Sequence, residues 1–80
     1  MTLSDAIKER IIELLKEKDM NVGQLATKSG INASTVHSIL KGKCKTPNSS
    51  TLYYICIGFG ITLSDFYNSK LFDMDNINDD

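Results

Sequence analysis

The sequence has few of the residues that often stabilise small domains, namely tryptophan, proline and cysteine. It has no tryptophan, one proline and two cysteines in 80 residues. Cys44 and Cys56 show neither a CxxC spacing nor a histidine-rich neighbourhood, so we expect two free thiols and no zinc site or disulfide framework. No apolar run approaches the roughly 18 to 20 residues of a membrane span, and the first residues lack a secretion signal. We therefore expect a soluble, cytoplasmic protein.

A catalytic constellation is also missing. The single histidine, His37, has no carboxylate three or four positions away, and neither cysteine has a local acid or base partner. No glycine-rich phosphate loop is present. We predict that the protein is not an enzyme, that it holds no metal or cofactor, and that it has no small-molecule ligand.

Charge is unevenly distributed along the chain. The net charge is −1, and 41% hydrophobic with 24% charged residues is ordinary globular composition. Residues 1–47 carry eight Lys or Arg against five Asp or Glu, which gives +3, whereas residues 48–80 carry one Lys against five Asp, which gives −4. Because phosphate is attracted by a local patch and not by an average, the first half can still bind nucleic acid.

Helix-capping patterns divide the chain into five predicted helices. The first carries an apolar stripe at Ile7, Ile11, Leu14 and Leu15, and the second begins with a capping box in which Asn21 and Gln24 exchange hydrogen bonds. The predicted N-caps are Ser4, Asn21, Asn32, Asn48 and Thr62, and the predicted terminating glycines are Gly30, Gly42 and Gly60. We expect one all-α domain over residues 1–70 and an acidic, flexible tail over residues 71–80.

The second and third helices form the segment that indicates function. A Gly30-Ile31-Asn32 turn joins them, and the third helix, residues 33–41, offers small polar side chains opposite the apolar Val36, Ile39 and Leu40. This is typical of a helix-turn-helix unit, which places its second helix in the major groove of DNA. Small side chains allow close approach, hydroxyls bond base edges, and methyl groups contact thymine.

Several segments at consistent spacing extend the match beyond these two helices. They are residues 21–26 (NVGQLA), 29–32 (SGIN), 34–39 (STVHSI) and 41–43 (KGK), then Pro47 and residues 60–66 (GITLSDF). In these segments the chain resembles the Cro and lambda-repressor-like, or XRE-type, helix-turn-helix family over about residues 6–68. The resemblance implies a five-helix lambda-repressor-like fold with its helix-turn-helix in helices two and three.

The resemblance also implies a function and a set of DNA contacts. The protein would be a sequence-specific transcriptional regulator, most simply a repressor, that binds double-stranded DNA as a homodimer in a bacterial or phage setting. Side chains in the third helix would contact bases, and side chains around it would contact phosphates. The base-contacting set would be Ala33, Ser34, Thr35 and Ser38, and the phosphate-contacting set Asn21, Gln24, Asn32, Lys41, Lys43 and Lys45.

Two features depart from the family pattern. Leu15 and Leu40 stand where many members pair an arginine with a glutamate, an exchange that packed apolar groups tolerate. The base-facing set contains neither arginine nor glutamine, so the strong bidentate contacts to guanine and adenine are missing. A glycine inside helix two, Gly23, costs about 0.5 to 1 kcal/mol relative to alanine without an evident reason.

A protein-interaction module remains the alternative function. The same fold would then serve as an antitoxin, an anti-repressor or a partner-binding subunit with weak or no DNA binding. The acidic tail favours this alternative, whereas the basic loop from Lys41 to Lys45 opposes it. Surplus apolar groups in the C-terminal half predict a homodimer that forms through helix five and Leu71-Phe72.

Overall fold

A computed structural model describes residues 1–42 and 47–78, and over these ranges the chain forms five α-helices and one short 3-10 turn. The structure confirms the predicted all-α class. In the described ranges, no helix is long and apolar enough to cross a membrane. The elements are α1 (Leu3–Glu17), α2 (Val22–Ser29), α3 (Ala33–Leu40), α4 (Ser49–Phe59), α5 (Leu63–Tyr67) and the 3-10 turn (Lys70–Phe72).

The helix ends follow the local rules that the sequence predicts, with one correction. α1 begins one residue after Thr2, whose hydroxyl accepts from the Asp5 amide at 3.1 Å, so Thr2 and not Ser4 is the N-cap. This earlier cap makes the helix two residues longer than predicted. It also places the Asp5 carboxylate at the third helical position, near the positive end of the helix dipole. The predicted caps Asn48 and Thr62 are confirmed by bonds of 2.8 and 3.0 Å from Thr51 N and Asp65 N.

α2 and α4 end in the same way. Gly30 and Gly60 adopt left-handed φ angles of 74° and 72°, as predicted. The amide of the following residue, Ile31 or Ile61, then reaches back to Ala26 O at 3.2 Å or Cys56 O at 3.0 Å. Both isoleucines pack against the core, which completes a Schellman-type ending at each helix.

One apolar core joins the helices. Phe66, Ile7, Ile11, Leu25, Ile55 and Val36 are the largest fully buried side chains apart from the thiol of Cys56. Burial, and next the nearby Asp65 carboxylate, raise the pKa of the Cys56 thiol above its ordinary value. Cys56 is therefore a packed core residue and a poor nucleophile. Cys44 lies outside the described residues.

The closest helix packing is between α2 and α4, and it depends on Gly58. A β-carbon at Gly58 would lie 2.1 Å from Ser29 Oγ, 3.0 Å from Leu25 Cδ1 and 3.1 Å from Leu25 O. Ser29 is itself buried, and its hydroxyl has no hydrogen-bond partner among the described residues. Glycine at position 58 thus lets the backbone of α4 approach α2.

Arg10 ties the first helix to the fifth. The residue is 9% exposed, its Nε donates to Phe66 O at 2.7 Å, and its Nη2 donates to Asp65 O at 2.8 Å. Its Nη1 forms an ion pair with the half-exposed Glu13. The guanidinium therefore satisfies two carbonyls at the C-terminal end of α5, where a positive charge also matches the helix dipole.

Met1 lies beside residues 76–78. The Met1 ammonium donates to Asn76 O at 2.9 Å, and the Asn78 amide donates to Met1 O at 2.8 Å. The 3-10 turn packs on α1, and Asn76 Nδ2 donates back to Lys70 O at 2.6 Å. The division into a domain over residues 1–70 and a tail over residues 71–80 stays a prediction.

Replacing Gly58 by alanine should separate α2 from α4. We expect Gly58→Ala to lower the free energy of unfolding by about 1 to 3 kcal/mol, because overpacking outweighs the gain in helix propensity. Urea denaturation followed by circular dichroism measures this. Gly23→Ala is the matched control, since its β-carbon would meet only Asn21 Oδ1 at 3.4 Å. That variant should be more stable by about 0.5 to 1 kcal/mol.

The Ser29 hydroxyl supplies an internal check on the same contact. Adding Ser29→Ala to Gly58→Ala should recover part of the lost stability, since it removes the atom nearest to the new β-carbon. An effect of Gly58→Ala that is equally large with and without Ser29→Ala would contradict the packing that we describe.

Replacing Arg10 by methionine tests the link between α1 and α5. The apolar stem is kept, but Phe66 O loses its donor, and Asp65 O keeps only the Asn68 amide at 3.3 Å. We expect Arg10→Met to destabilise the fold by about 1 to 3 kcal/mol, the cost of one buried carbonyl left unsatisfied. Lys16→Met, on an exposed part of the same helix, is the control and should change urea stability by less than about 0.5 kcal/mol. Similar losses in both variants would contradict a special role for Arg10.

Candidate nucleic-acid interface

The N-terminus of α2 is built from a complete capping box. Asn21 Oδ1 accepts from the Gln24 amide at 2.8 Å, and Gln24 Oε1 accepts from the Asn21 amide at 3.0 Å. This confirms the predicted exchange. Both side-chain oxygens are engaged in holding the helix, so both residues have a structural role that is independent of any ligand.

The same box leaves hydrogen-bond donors at the surface. Asn21 and Gln24 are exposed, and within the described residues neither Asn21 Nδ2 nor Gln24 Nε2 donates to another group. The amides of Val22 and Gly23 belong to the first helical turn, whose N–H groups have no partner inside the helix. Exposed donors at the N-terminus of a helix suit an anion.

These donors lie in or beside a shallow concavity of about 470 Å³. It is lined by Asn21, Gly23, Gln24, Thr27 and Lys28. The Thr27 hydroxyl donates to Gly23 O at 3.0 Å, and the exposed Lys28 adds a positive charge to the rim. The sequence patterns did not single out Thr27 or Lys28; they follow Gly23 and Gln24 at a spacing of four, which places them on the same side of α2.

The outer face of α3 carries four exposed residues. Ala33 and Ser34, predicted to contact bases, are exposed, and so are His37 and Lys41. At 100° per residue, Ser34, His37 and Lys41 lie within roughly 60° of one another around the helix axis. His37, to which the sequence patterns assigned no role, lies on this face between the predicted base-contacting Ala33 and Ser34 around the helix axis.

The other predicted contacts on α3 are less accessible. Thr35 and Ser38 are only half-exposed, because they flank the apolar stripe of Val36 and Ile39, which is buried. Asn32 occupies the N-cap position as predicted, but its side chain makes no capping hydrogen bond and stays exposed. The predicted phosphate contacts Lys43 and Lys45 lie outside the described residues.

The electrostatics of α2 and α3 are simpler than the total charge indicates. No aspartate or glutamate occurs from Met20 to Ser64, a stretch of 45 residues that covers α2, α3 and α4. Lys28 and Lys41 are the exposed cations of this stretch among the described residues. Arg10, in contrast, is buried against α5 and contributes nothing to this surface. The acid-free stretch is the sequence signal that would have located the interface most directly.

Leu15 and Leu40 stand where many members of the resembled family have an arginine–glutamate pair. Both are half-buried and pack against the apolar core. Where a charged pair would need mutual hydrogen bonds to balance its desolvation, two leucines need only contact, so the exchange leaves the position of α3 supported. The orientation of α3 therefore rests on apolar packing.

Comparisons with known proteins agree with this geometry. A family model described as a Cro/C1-type helix-turn-helix DNA-binding domain matches residues 10–70. A solved structure, the crystal structure of the prophage Lp1 protein 11, is similar with a TM-score of 0.79 and 27% sequence identity, covering 92% of this chain and 99% of that one. Among curated protein sequences, none matches the chain.

The two asparagine caps of α2 and α3 make a matched pair for mutation. Asn21→Ala removes a side-chain bond to the helix backbone, so we expect a loss of about 1 kcal/mol of stability. Asn32→Ala removes no such bond and should cost less, and Asn21→Asp should keep the cap and gain from the helix dipole. Thermal unfolding of the three variants measures this, and equal losses for both alanine variants would contradict the capping assignment.

Proposed function

This chain belongs to the Cro/C1-type helix-turn-helix DNA-binding family, and from that we propose that it is a sequence-specific transcriptional regulator that acts as a repressor. The observation that carries the proposal is the absence of acidic residues from α2 and α3, with phosphate-type donors beside an exposed face of small polar side chains. The prophage origin of the similar structure supports a bacterial or phage setting, and a cytoplasmic location.

In this proposal α3 lies in the major groove. Ser34 offers a hydroxyl that bonds base edges, and Ala33 offers a methyl group that contacts the methyl of thymine. Thr35 and Ser38, being half-exposed, contact bases at the sides of the helix. Since none of these is a bidentate reader, DNA shape contributes a share of the specificity.

The N-terminus of α2 meets the phosphate backbone beside the groove. The NH₂ groups of Asn21 and Gln24 and the free amides of the first turn bind phosphate oxygens, and Lys28 adds charge. Around α3, the phosphate backbone of the DNA is bound by Asn32, Lys41, Lys43 and Lys45. These contacts fix the position of α3 without reading sequence.

Repression follows from occupancy of a promoter by a dimer. Two copies bind two half-sites about one helical turn apart, which multiplies a modest half-site affinity. A bound dimer excludes polymerase from the DNA that it covers. The role needs no catalytic step, consistent with the predicted absence of enzymatic activity.

Fluorescence anisotropy tests the proposal. The protein is titrated into labelled DNA from the region upstream of its own gene and into a shuffled duplex, at several salt concentrations. We expect preference for the upstream DNA and a steep loss of affinity with salt, with a log–log slope of about −0.9 per phosphate contact.

Two variants separate base contacts from phosphate contacts. Ser34→Asp should abolish the preference for upstream DNA, whereas Ser64→Asp, which adds the same charge on α5, should leave it intact. Asn21→Asp combined with Gln24→Glu keeps the acceptors of the capping box but replaces both amide donors by carboxylates, so binding to every sequence should weaken by at least tenfold.

A lysine pair completes the design. Lys41→Gln should lower the salt slope by about one unit. Lys70→Gln, on the 3-10 turn, should not. Shallow salt dependence and equal binding to both duplexes would overturn the proposal in favour of the protein-interaction module. The lack of arginine and glutamine among the base-facing residues supports that alternative.

A further inference from the structure

The outer face of α4 exposes large apolar side chains that the fold does not use. Tyr53, Tyr54 and Ile57 are 53%, 47% and 49% exposed, although α4 lies in the middle of the chain and buries Leu52 and Ile55 on its inner side. At 100° per residue these three side chains, together with the exposed Ser50, fall within an arc of about 100°. They form one continuous surface, which we call the α4 face.

The α4 face is uncharged. α4 runs from Ser49 to Phe59 and contains no lysine, arginine, histidine, aspartate or glutamate. In a two-fold interface each patch meets its own copy, so a charged patch would oppose itself. A neutral apolar face is self-complementary in this respect, and it offers nothing to the phosphates of DNA or to a strongly charged partner.

The exposed apolar area of the α4 face supplies the larger part of what a modest dimer needs. A tyrosine side chain presents about 150 to 250 Å², so two that are half exposed supply on the order of 200 Å². With Ile57 the patch reaches roughly 300 Å² per copy, or about 600 Å² for two copies. That is about 60% of the roughly 1,000 Å² expected of a specific interface, so the dimer must also cover polar neighbours such as the exposed Ser50.

The position of α4 keeps the DNA-facing helix free. α2 packs against both α3 and α4, whereas α3 and α4 make little contact with each other.

The dimer surface predicted from the sequence, helix five with Leu71 and Phe72, exposes less apolar area than the α4 face. Phe72 is half-buried, with its ring centroid 5.9 Å from that of Phe66 and 4.9 Å from that of Tyr67. Its side chain closes the end of the core where α1 meets the 3-10 turn. Leu63, at 39% exposed, is the large apolar group that α5 offers besides Tyr67.

We propose that the α4 face, centred on Tyr53, Tyr54 and Ile57, is a two-fold interface between two copies of this chain. The inference gives the dimer of the proposed function its contact surface, but it is tested without DNA, so that either can fail alone. The three side chains pack against their symmetry mates.

Analytical ultracentrifugation at 5 to 200 μM tests the interface. The wild-type protein should approach twice its monomer mass of 8.9 kDa as concentration rises. Ile57→Glu places a carboxylate at the centre of the face and should weaken self-association at least tenfold, with an unchanged helical circular dichroism spectrum. Tyr53→Glu is the second variant, used in case Ile57→Glu unfolds.

Two control variants decide between surfaces. Met74→Glu changes an apolar residue that is 92% exposed and lies away from α4, and it should leave the dimer intact. Leu63→Glu tests the α5 surface and should also leave it intact. A wild-type protein that stays monomeric at 200 μM, or a dimer broken by Leu63→Glu but not by Ile57→Glu and Tyr53→Glu, would overturn the proposal.

A DNA measurement then separates this inference from the regulator function. Ile57→Glu should weaken binding to upstream DNA at least tenfold while it keeps the preference over shuffled DNA. Absence of DNA binding by a wild-type protein that dimerises would reject the regulator and leave the interface standing.

Discussion

The close approach of α2 and α4 at Gly58 is the constraint on which the arrangement of this molecule depends. α2 carries the capping box at its start, leads into the Gly30 turn at its end, and supports α3 along its side. Its own support is α4, which can come near only because position 58 has no side chain. A wider separation would move α2 and α3 together and open the core around Leu25. Packing of α2 on α4 therefore fixes the positions of the α2 donors and of the outer face of α3.

Local chemistry explains why so much of the fold could be predicted from the sequence. Caps such as Asn21, Asn48 and Thr62 bond backbone amides three residues away, and Gly30 acts within a single turn. These interactions need only neighbours in the chain. The error at Ser4 is of the same kind, since Thr2 and Ser4 are both competent caps and the sequence alone does not rank them.

Long-range contacts could not be predicted in this way. Arg10 meets carbonyls 55 and 56 residues away, and nothing in its own neighbourhood distinguishes it from a surface cation. A β-carbon at Gly58 would likewise overlap with Ser29 Oγ, which belongs to another helix. At the candidate site the sequence predicted the polar face of α3 but assigned no role to His37, because an imidazole on that face suits phosphate and solvent equally.

Burial of Arg10 has a further chemical consequence, since it is the sole arginine of the chain. Every other permanent cation is then a primary amine: compact, strongly hydrated, and unable to form the planar two-point fork that grips a guanine edge or a phosphate. Attraction to a polyanion would come mainly from the entropy of released counterions, with little directional bonding. Such a surface could be neutralised in one step by acylation of its amines, while the guanidinium that holds α1 to α5 would remain untouched.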